Sequence, residues 1–421
     1  MNQLNFSHSV TLGGDPEFFF TGSKGQTTGA EKILPEGGLI YKPGSAPHDG
    51  SYTAISGTTS KVIIDGVQAE LNPRPNTCRA NLGNEIGACF RDLAKAIKDG
   101  KDGINVSFAP LVNITQKELD SLSEKSKVFG CAPSTNIYTA AESKITVDPK
   151  KYKKRSAGGH IHLGGRDCYP EVEKALKNID VMVPILDIIV GNTCVLIDRN
   201  PCNKERRKVY GRAGEHRVKP YGVEYRTLSN FWLQSYQLMS FVMGLARMAV
   251  HIVQQSTPTN DYVGALNAAV NRDDIIKAIN NNDFDLAYSN FLKIEPILLE
   301  ATGNNNENYP ICKTNIDSFH WFIARGFNHF FTEDPFAHWI KLPEGHGTGW
   351  ETFLNNVVSS DMKKTLSEKI GEFRKSIKKL RESKQEAIGG LKLKLKVLKT
   401  FLPEVKKEMP TPVEVAPPVA H

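Results

Sequence analysis

Four short segments between residues 15 and 226 each carry two polar or charged side chains two positions apart: Asp15 and Glu17, Glu70 and Asn72, His160 and His162, Glu224 and Arg226. Each lies in a stretch with strand character, and alternation along a strand sends residues i and i+2 to one face. Charged pairs facing one side of several strands would destabilise a dry core. If those strands share a sheet, that face has to be a polar cleft, most simply neutralised by divalent cations. Carboxylates with a histidine and open water positions suit hard ions such as Mg2+ or Mn2+. Arginines beside acidic ligands suggest an anionic ligand bound through the metal, most often a nucleotide polyphosphate.

The elements around these pairs follow from pattern. Residues 9–22 read as one strand, loosened in the middle by Gly13 and Gly14. Gly/Pro-rich loops run on to Gly57, and 62–73 reads as a hairpin with Asp65-Gly66 as its turn. Leu82, Ile86, Cys89, Phe90, Leu93 and Ile97 recur at helical spacing, which predicts an amphipathic helix over 79–98. Short strands and loops fill 104–155 and close on the basic run 150–155. The strand at 156–165 is flanked by Gly158-Gly159 and Gly164-Gly165, which leave backbone room for a bulky ligand. A helical stretch over 171–195, a basic loop over 200–220, a strand over 223–228 and a buried helix over 234–255 follow. Residues 260–360 read as mostly helical, with Asn-rich breaks at 280–282 and 303–308. The expected organisation is a catalytic domain over 1–258, a helical region over 259–360 packed on it, a basic helix and strand over 361–402, and a disordered Pro-rich tail over 403–421.

Charge sharpens that division. The 421 residues hold 53 Lys+Arg and 46 Asp+Glu, a net charge of +7. Residues 361–421 contain 15 basic and 8 acidic side chains, so the first 360 residues balance at 38 and 38. The excess belongs to the tail, where Leu366, Ile370, Phe373, Ile377 and Leu380 form one helical stripe among lysines. From 391 a Leu-Lys alternation has the period of a half-buried strand. Ordered apolar faces of this kind suggest docking on the body or on another subunit, as in a homo-oligomer. Nucleic-acid binding rests only on 150–155 and this tail, and ranks last. No apolar run reaches the roughly 20 residues that span a bilayer, and the N-terminus lacks a secretory pattern. Seven scattered cysteines with no C-x-x-C pair argue against a disulfide framework. A cytoplasmic protein is expected, in a host cytoplasm if phage-encoded.

Taken in order, Gly-Gly-Asp-Pro-Glu-Phe from Gly13, Ala-Glu-Leu-Asn-Pro from Ala69, Ser-Ala-Gly-Gly-His-Ile-His-Leu-Gly from Ser156 and Glu-Tyr-Arg-Thr-Leu from Glu224 resemble the phage carboxylate–amine ligases of the phiEco32 type. That family, COOH-NH2 ligase type 2, sits in the glutamine synthetase/glutamate–cysteine ligase superfamily, and the resemblance covers about residues 8–250. It implies an α+β fold: a glutamine synthetase-like curved, mainly antiparallel sheet with helices on its outer face, plus a helical C-terminal region. It implies metal ligands at Asp15, Glu17, Glu70 and Glu224, with Asn72 beside Glu70 near the nucleotide. His160 would meet a metal or the substrate carboxylate, and His162 the nucleotide phosphates. Arg226 would stabilise the transferred phosphoryl group together with Arg212 or Arg217, for which Arg206, Arg207 and Lys208 compete. Lys42 and His48 lie in a Gly/Pro-rich loop suited to a lid. The implied reaction is ATP-dependent amide formation through an acyl phosphate, with Mg2+ or Mn2+. A small-molecule, peptide or protein carboxylate and an amine would be its substrates. The ammonium-binding aspartate of glutamine synthetase has no counterpart here. Two rivals stand beside it: a metal-dependent hydrolase on the same cluster, and a non-catalytic phage structural protein that retains the fold.

Overall fold

The computed structural model describes residues 10–40, 60–98, 103–129, 134–143, 147–165, 170–303 and 334–341. Lys42, His48 and the stripe and strand of 361–402 lie outside them. Fourteen strands are present among the described residues. They are β1 (Val10–Gly14), β2 (Glu17–Thr21), β3 (Thr27–Thr28), β4 (Leu39–Ile40), β5 (Lys61–Asp65), β6 (Gln68–Asn72), β7 (Asn105–Ser107), β8 (Leu111–Asn113), β9 (Ser134–Asn136), β10 (Ala141–Ser143), β11 (Lys154–Ser156), β12 (Ile161–Gly165), β13 (Glu215–Lys219) and β14 (Gly222–Tyr225). The longer helices are α1 (Arg79–Lys98), α2 (Pro170–Lys177), α3 (Ile179–Leu186), α4 (Tyr236–Gln255), α5 (Tyr262–Ala269), α6 (Arg272–Asn281), α7 (Phe284–Gly303) and α8 (Pro335–Lys341).

The strands build two six-stranded antiparallel sheets and one small pair, β11–β8. The first sheet runs β1-β12-β14-β13-β9-β10. The second runs β3-β2-β6-β5-β4, with β7 also paired to β2. The expected single strand over 9–22 is therefore two strands in two sheets, and Pro16 is the reason. Proline has no N–H to give a ladder and fixes its own φ, so the chain leaves the first sheet at Asp15 and enters the second at Glu17. The hairpin with a turn at Asp65-Gly66 is present as β5–β6, with Gly66 at φ +66° as such a turn requires. Within 200–220, read as loop, lie a short helix (Cys202–Arg206) and β13. Glu215-His216-Arg217-Val218-Lys219 is polar on both faces, so it gives no hydrophobic alternation to read.

The helices cover the first sheet from behind. α4 is capped by the Ser235 hydroxyl on Leu238 N–H and packs on β1, β12, α1, α2 and α3. It is long and apolar enough to cross a membrane, but almost all of that stretch is buried inside the protein. Phe18 from β2, Phe90 from α1 and Phe108 meet edge to face, and Trp339 of α8 lies against Phe90. The Asn-rich break ends α6: Asn282 takes the left-handed conformation tolerated by asparagine at a helix terminus. Its side chain accepts from Arg207 Nη1 at 2.7 Å, and Asn280 accepts from Ala213 N at 2.8 Å. The helical region thereby braces the loop that leads into β13.

Candidate functional site

Registration across the first sheet puts Gly13, His162, Glu224 and Arg217 in one row on β1, β12, β14 and β13. Strand alternation sends the neighbours of Glu224 the other way. Tyr225 donates through its hydroxyl to Asp187, on the helical side, at 2.6 Å. Glu224 and Arg226 consequently share the face opposite the helices, and Arg226 hydrogen-bonds Glu224 Oε1. Arg217 Nη1 lies 3.3 Å from the same oxygen, and Lys219 Nζ lies 2.8 Å from Oε2. One wholly buried carboxylate is thus met by three cations. Burial pushes its pKa up, but His160 and Arg226 prevail and hold Glu224 at about 2.

The second sheet presents the opposite balance. Glu17 and Glu70 stand directly across from one another on β2 and β6, a like-charge pairing that destabilises a ladder. Asp65, at the end of β5, joins them. Glu17 Oε2 accepts from Gly158 N at 2.6 Å, and Asn72 Nδ2 donates to Glu70 Oε1 at 2.7 Å. Burial, followed by the charges of Asp15, Asp65 and Glu17, pushes Glu70 up to about 9.

Asp15 links the sheets. Its Oδ1 lies 2.9 Å from His160 Nδ1 and its Oδ2 lies 3.2 Å from His162 Nε2. Burial opposes ionisation of Asp15, yet the two histidines hold it well below the usual carboxylate range. Burial and the Arg226 charge hold His160 down to about 4, so it is neutral at pH 7. One donor order satisfies this chain. Asp15 can only accept, so His160 Nδ1–H donates to it and Nε2 accepts from the Tyr210 hydroxyl. The Tyr210 oxygen then accepts from Arg226 Nη2 at 2.9 Å.

Among the described residues, two groups of side chains place potential metal-ligand atoms within 4.8 Å of one another: Asp15, His162 and Glu224, and Glu17, Asp65 and Glu70. Their donors are hard oxygens with one imidazole nitrogen, which fits Mg2+ or Mn2+. Asp65 Oδ2 is buried without a hydrogen-bond partner, as a ligand atom lacking its ion would be. His160, expected on a metal, turns both ring nitrogens to Asp15 and Tyr210; His162, expected at the phosphates, joins the Asp15–Glu224 group.

Other expectations change as well. Arg212 does not join the cluster: its guanidinium donates to the carbonyls of Arg207 and Lys208. Arg206 is fully buried on the carbonyls of Ala157, Thr227 and Leu228, which makes it a brace for the strand rather than a ligand group. The glycines at 158–159 and 164–165 serve the protein's own packing rather than a ligand. A Cβ at Gly159 would stand 2.1 Å from Ser229 O, and one at Gly164 2.3 Å from Thr11 Oγ1. In the basic run, Lys150 pairs with Glu124, Lys154 pairs with Glu205 and Arg155 is buried on backbone carbonyls. Asp65, Lys219, Tyr210, Tyr221 and Asp187 were not singled out from sequence. Asp65 is masked by its role at a turn, Tyr210 and Tyr221 lie in a bend and a turn, and Lys219 and Asp187 carry no local pattern beyond strand or helix membership.

Residues 134–275 match the model of the family described as phage phiEco32-like COOH.NH2 ligase-type 2. The family resemblance is therefore shown over a segment that contains the two histidines, Arg217, Lys219, Glu224 and Arg226. β1, β2, β5 and β6, with Asp15, Glu17, Asp65 and Glu70, lie outside that segment. None of the curated proteins matches. Among solved structures, a bifunctional glutathione synthetase from Pasteurella multocida is similar at 10% sequence identity and a TM-score of 0.34. That alignment covers 76% of this chain and 53% of the synthetase chain, so this chain spans about half its length.

Proposed function

We propose that the protein is an ATP-dependent carboxylate–amine ligase that forms an amide, as a peptide or isopeptide bond, and that its sheets correspond to the curved sheet of the glutamine synthetase superfamily. The observation that carries this reading is the meeting, at Asp15, of an acid group with a cation group inside the family-matched segment. A substrate carboxylate oxygen attacks the γ-phosphorus of ATP and ADP leaves. An amine nitrogen then attacks the acyl carbon and inorganic phosphate leaves.

Arg226, Arg217 and Lys219 would bind and orient phosphoryl oxygens, because all three bring positive charge to the Glu224 end of the cluster. Asp15 and Glu224 would hold one divalent cation with His162, and Glu17, Asp65 and Glu70 another. Such ions supply positive charge against the polyphosphate. Tyr210 and His160 keep Asp15 and Arg226 in fixed relation through the donor chain described above. Burial of Glu224, Arg226 and His160 keeps water from competing for those bonds.

Mass spectrometry of products after incubation with ATP, Mg2+ and a panel of carboxylates and amines tests this function. ADP together with a new amide is the expected result. Hydrolysed substrate with no ADP would replace the ligase by the metal-dependent hydrolase. Absence of metal-dependent ATP binding by calorimetry would favour a structural protein that retains the fold.

A further inference from the structure

The two histidines of β12 and its lead-in meet the two oxygens of Asp15, and each is held at its other nitrogen by a tyrosine. The pairs differ in placement. Tyr210 is buried and its hydroxyl already serves Arg226. Tyr221 sits in the β13–β14 turn, is 43% exposed, and lies nearly parallel to the His162 ring at 6.0 Å with an interplanar angle of 19°. Its hydroxyl is 2.6 Å from His162 Nδ1. His162 Nε2 is buried and approaches Asp15 Oδ2 at 3.2 Å without hydrogen-bond alignment.

We propose that Tyr221 is a positioning residue that turns the His162 Nε2 lone pair toward Asp15 and Glu224. The proposal rests on the reading that these three side chains face a divalent cation. A neutral imidazole carries one N–H, and the partner of one nitrogen decides what the other can do. When Nδ1–H donates to the Tyr221 oxygen, Nε2 is left as an acceptor directed at the two carboxylates. When the Tyr221 hydroxyl donates instead, Nε2 carries the proton and cannot ligate. A cation held by the two carboxylates would select the first arrangement, whereas Asp15 by itself, which can only accept, would take the Nε2 proton. The hydroxyl contact between two nearly parallel rings sets the imidazole plane. Partners of this kind are worth about 10–100-fold in metal affinity. Glu224 pairs with Lys219 and Arg217, which frame Tyr221 on the same hairpin. The hairpin thus supplies phosphate-facing cations and the imidazole clamp together.

The test uses the full chain and Mn2+ alone. Calorimetry gives its affinity, and pulsed electron paramagnetic resonance detects the nitrogen coupling of a manganese-bound imidazole. Wild type should show that coupling, and His162→Asn should lose it. Tyr221→Phe, which keeps the ring and removes the hydroxyl, should weaken Mn2+ about tenfold and reduce the coupling. Val218→Ser, at a 64% exposed position on the same hairpin, should leave both unchanged. Wild-type affinity and coupling in Tyr221→Phe, with His162→Asn impaired, would overturn the role of Tyr221 and leave the metal reading standing. An equal loss in Val218→Ser would overturn it too, since the hairpin at large would then be responsible. Failure of the wild-type chain to bind Mn2+ would overturn both.

Discussion

On the β2–β6 side of the site three carboxylates crowd one another, whereas on the β12–β14 side one carboxylate is held by three cations. The same burial has opposite consequences in the two places. It drives Glu70 toward the protonated form, because the nearest charges share its sign, and it leaves Glu224 ionised, because opposite charges surround it. The cation side is therefore a finished structural unit by itself. On the acid side the Arg226 and Arg217 charges reach Asp65, but burial and like charges still raise both Asp65 and Glu70, which favours protons or cations from solution.

Removing Arg226 should break the finished unit most severely. Arg226→Ala leaves Glu224 buried with its closest partner gone, and a lowered urea midpoint equivalent to about 3–5 kcal/mol is expected. An unchanged midpoint would mean that Arg217 and Lys219 suffice. Glu70→Gln should do the reverse. It should leave stability in chelator near neutral pH unchanged, since Glu70 is already protonated there, while calorimetry shows Mn2+ bound more than about 100-fold more weakly.

The pH profile of stability in chelator should separate the sides further. Glu70 has a folded pKa near 9 against 4.5, so the folded state binds the extra proton and loses stability as pH rises from about 4.5 to about 9. Glu224, near 2 against 4.5, loses its contribution as pH falls from about 4.5 to about 2. Urea titrations of Glu70→Gln should flatten the alkaline limb only. An unaltered limb would place the proton elsewhere.

Two smaller effects complete the comparison. Asp187 is buried behind β14 and accepts from the hydroxyls of Tyr225 and Tyr138, at 2.6 and 2.8 Å. Asp187→Ala should cost about 1–3 kcal/mol in urea unfolding by stranding those hydroxyls, with Mn2+ affinity retained. Lys219→Met should cost under about 1 kcal/mol, as partly exposed pairs do, and appear instead as a raised KM for ATP. A normal KM would remove Lys219 from the phosphate group.

The sequence carried the strands that bear paired polar residues, because period-two spacing survives without tertiary context. It carried α1 for the same reason at helical period, and α4 through the density of its apolar positions. What it hid has physical causes. Asp15 and Glu17 look like one face of one strand, but the break at Pro16 leaves Asp15 between the sheets and Glu17 at the start of β2. β13 has no apolar alternation because its residues serve a polar site on one side and meet a neighbouring turn on the other. The glycines around the histidines suggest room for a ligand, whereas that space is taken by Ser229, Trp232 and Thr11. Arg206, Arg212 and Arg217 are alike as letters, and only their carbonyl or carboxylate partners tell them apart.

The break at Pro16 also bears on how the chain reaches its native state. Glu17 is fixed by Gly158 and Asn230, partners 141 and 213 positions away, and Asp15 by His160, 145 positions away. Closing such loops costs chain entropy before any contact repays it, which slows folding. Asp15 and the acids of β2, β5 and β6 also leave the ribosome well before the strands that organise them. Until β12 and β14 exist, these carboxylates are solvated side chains on a nascent segment, and the site comes into being only as the last long-range pairings close.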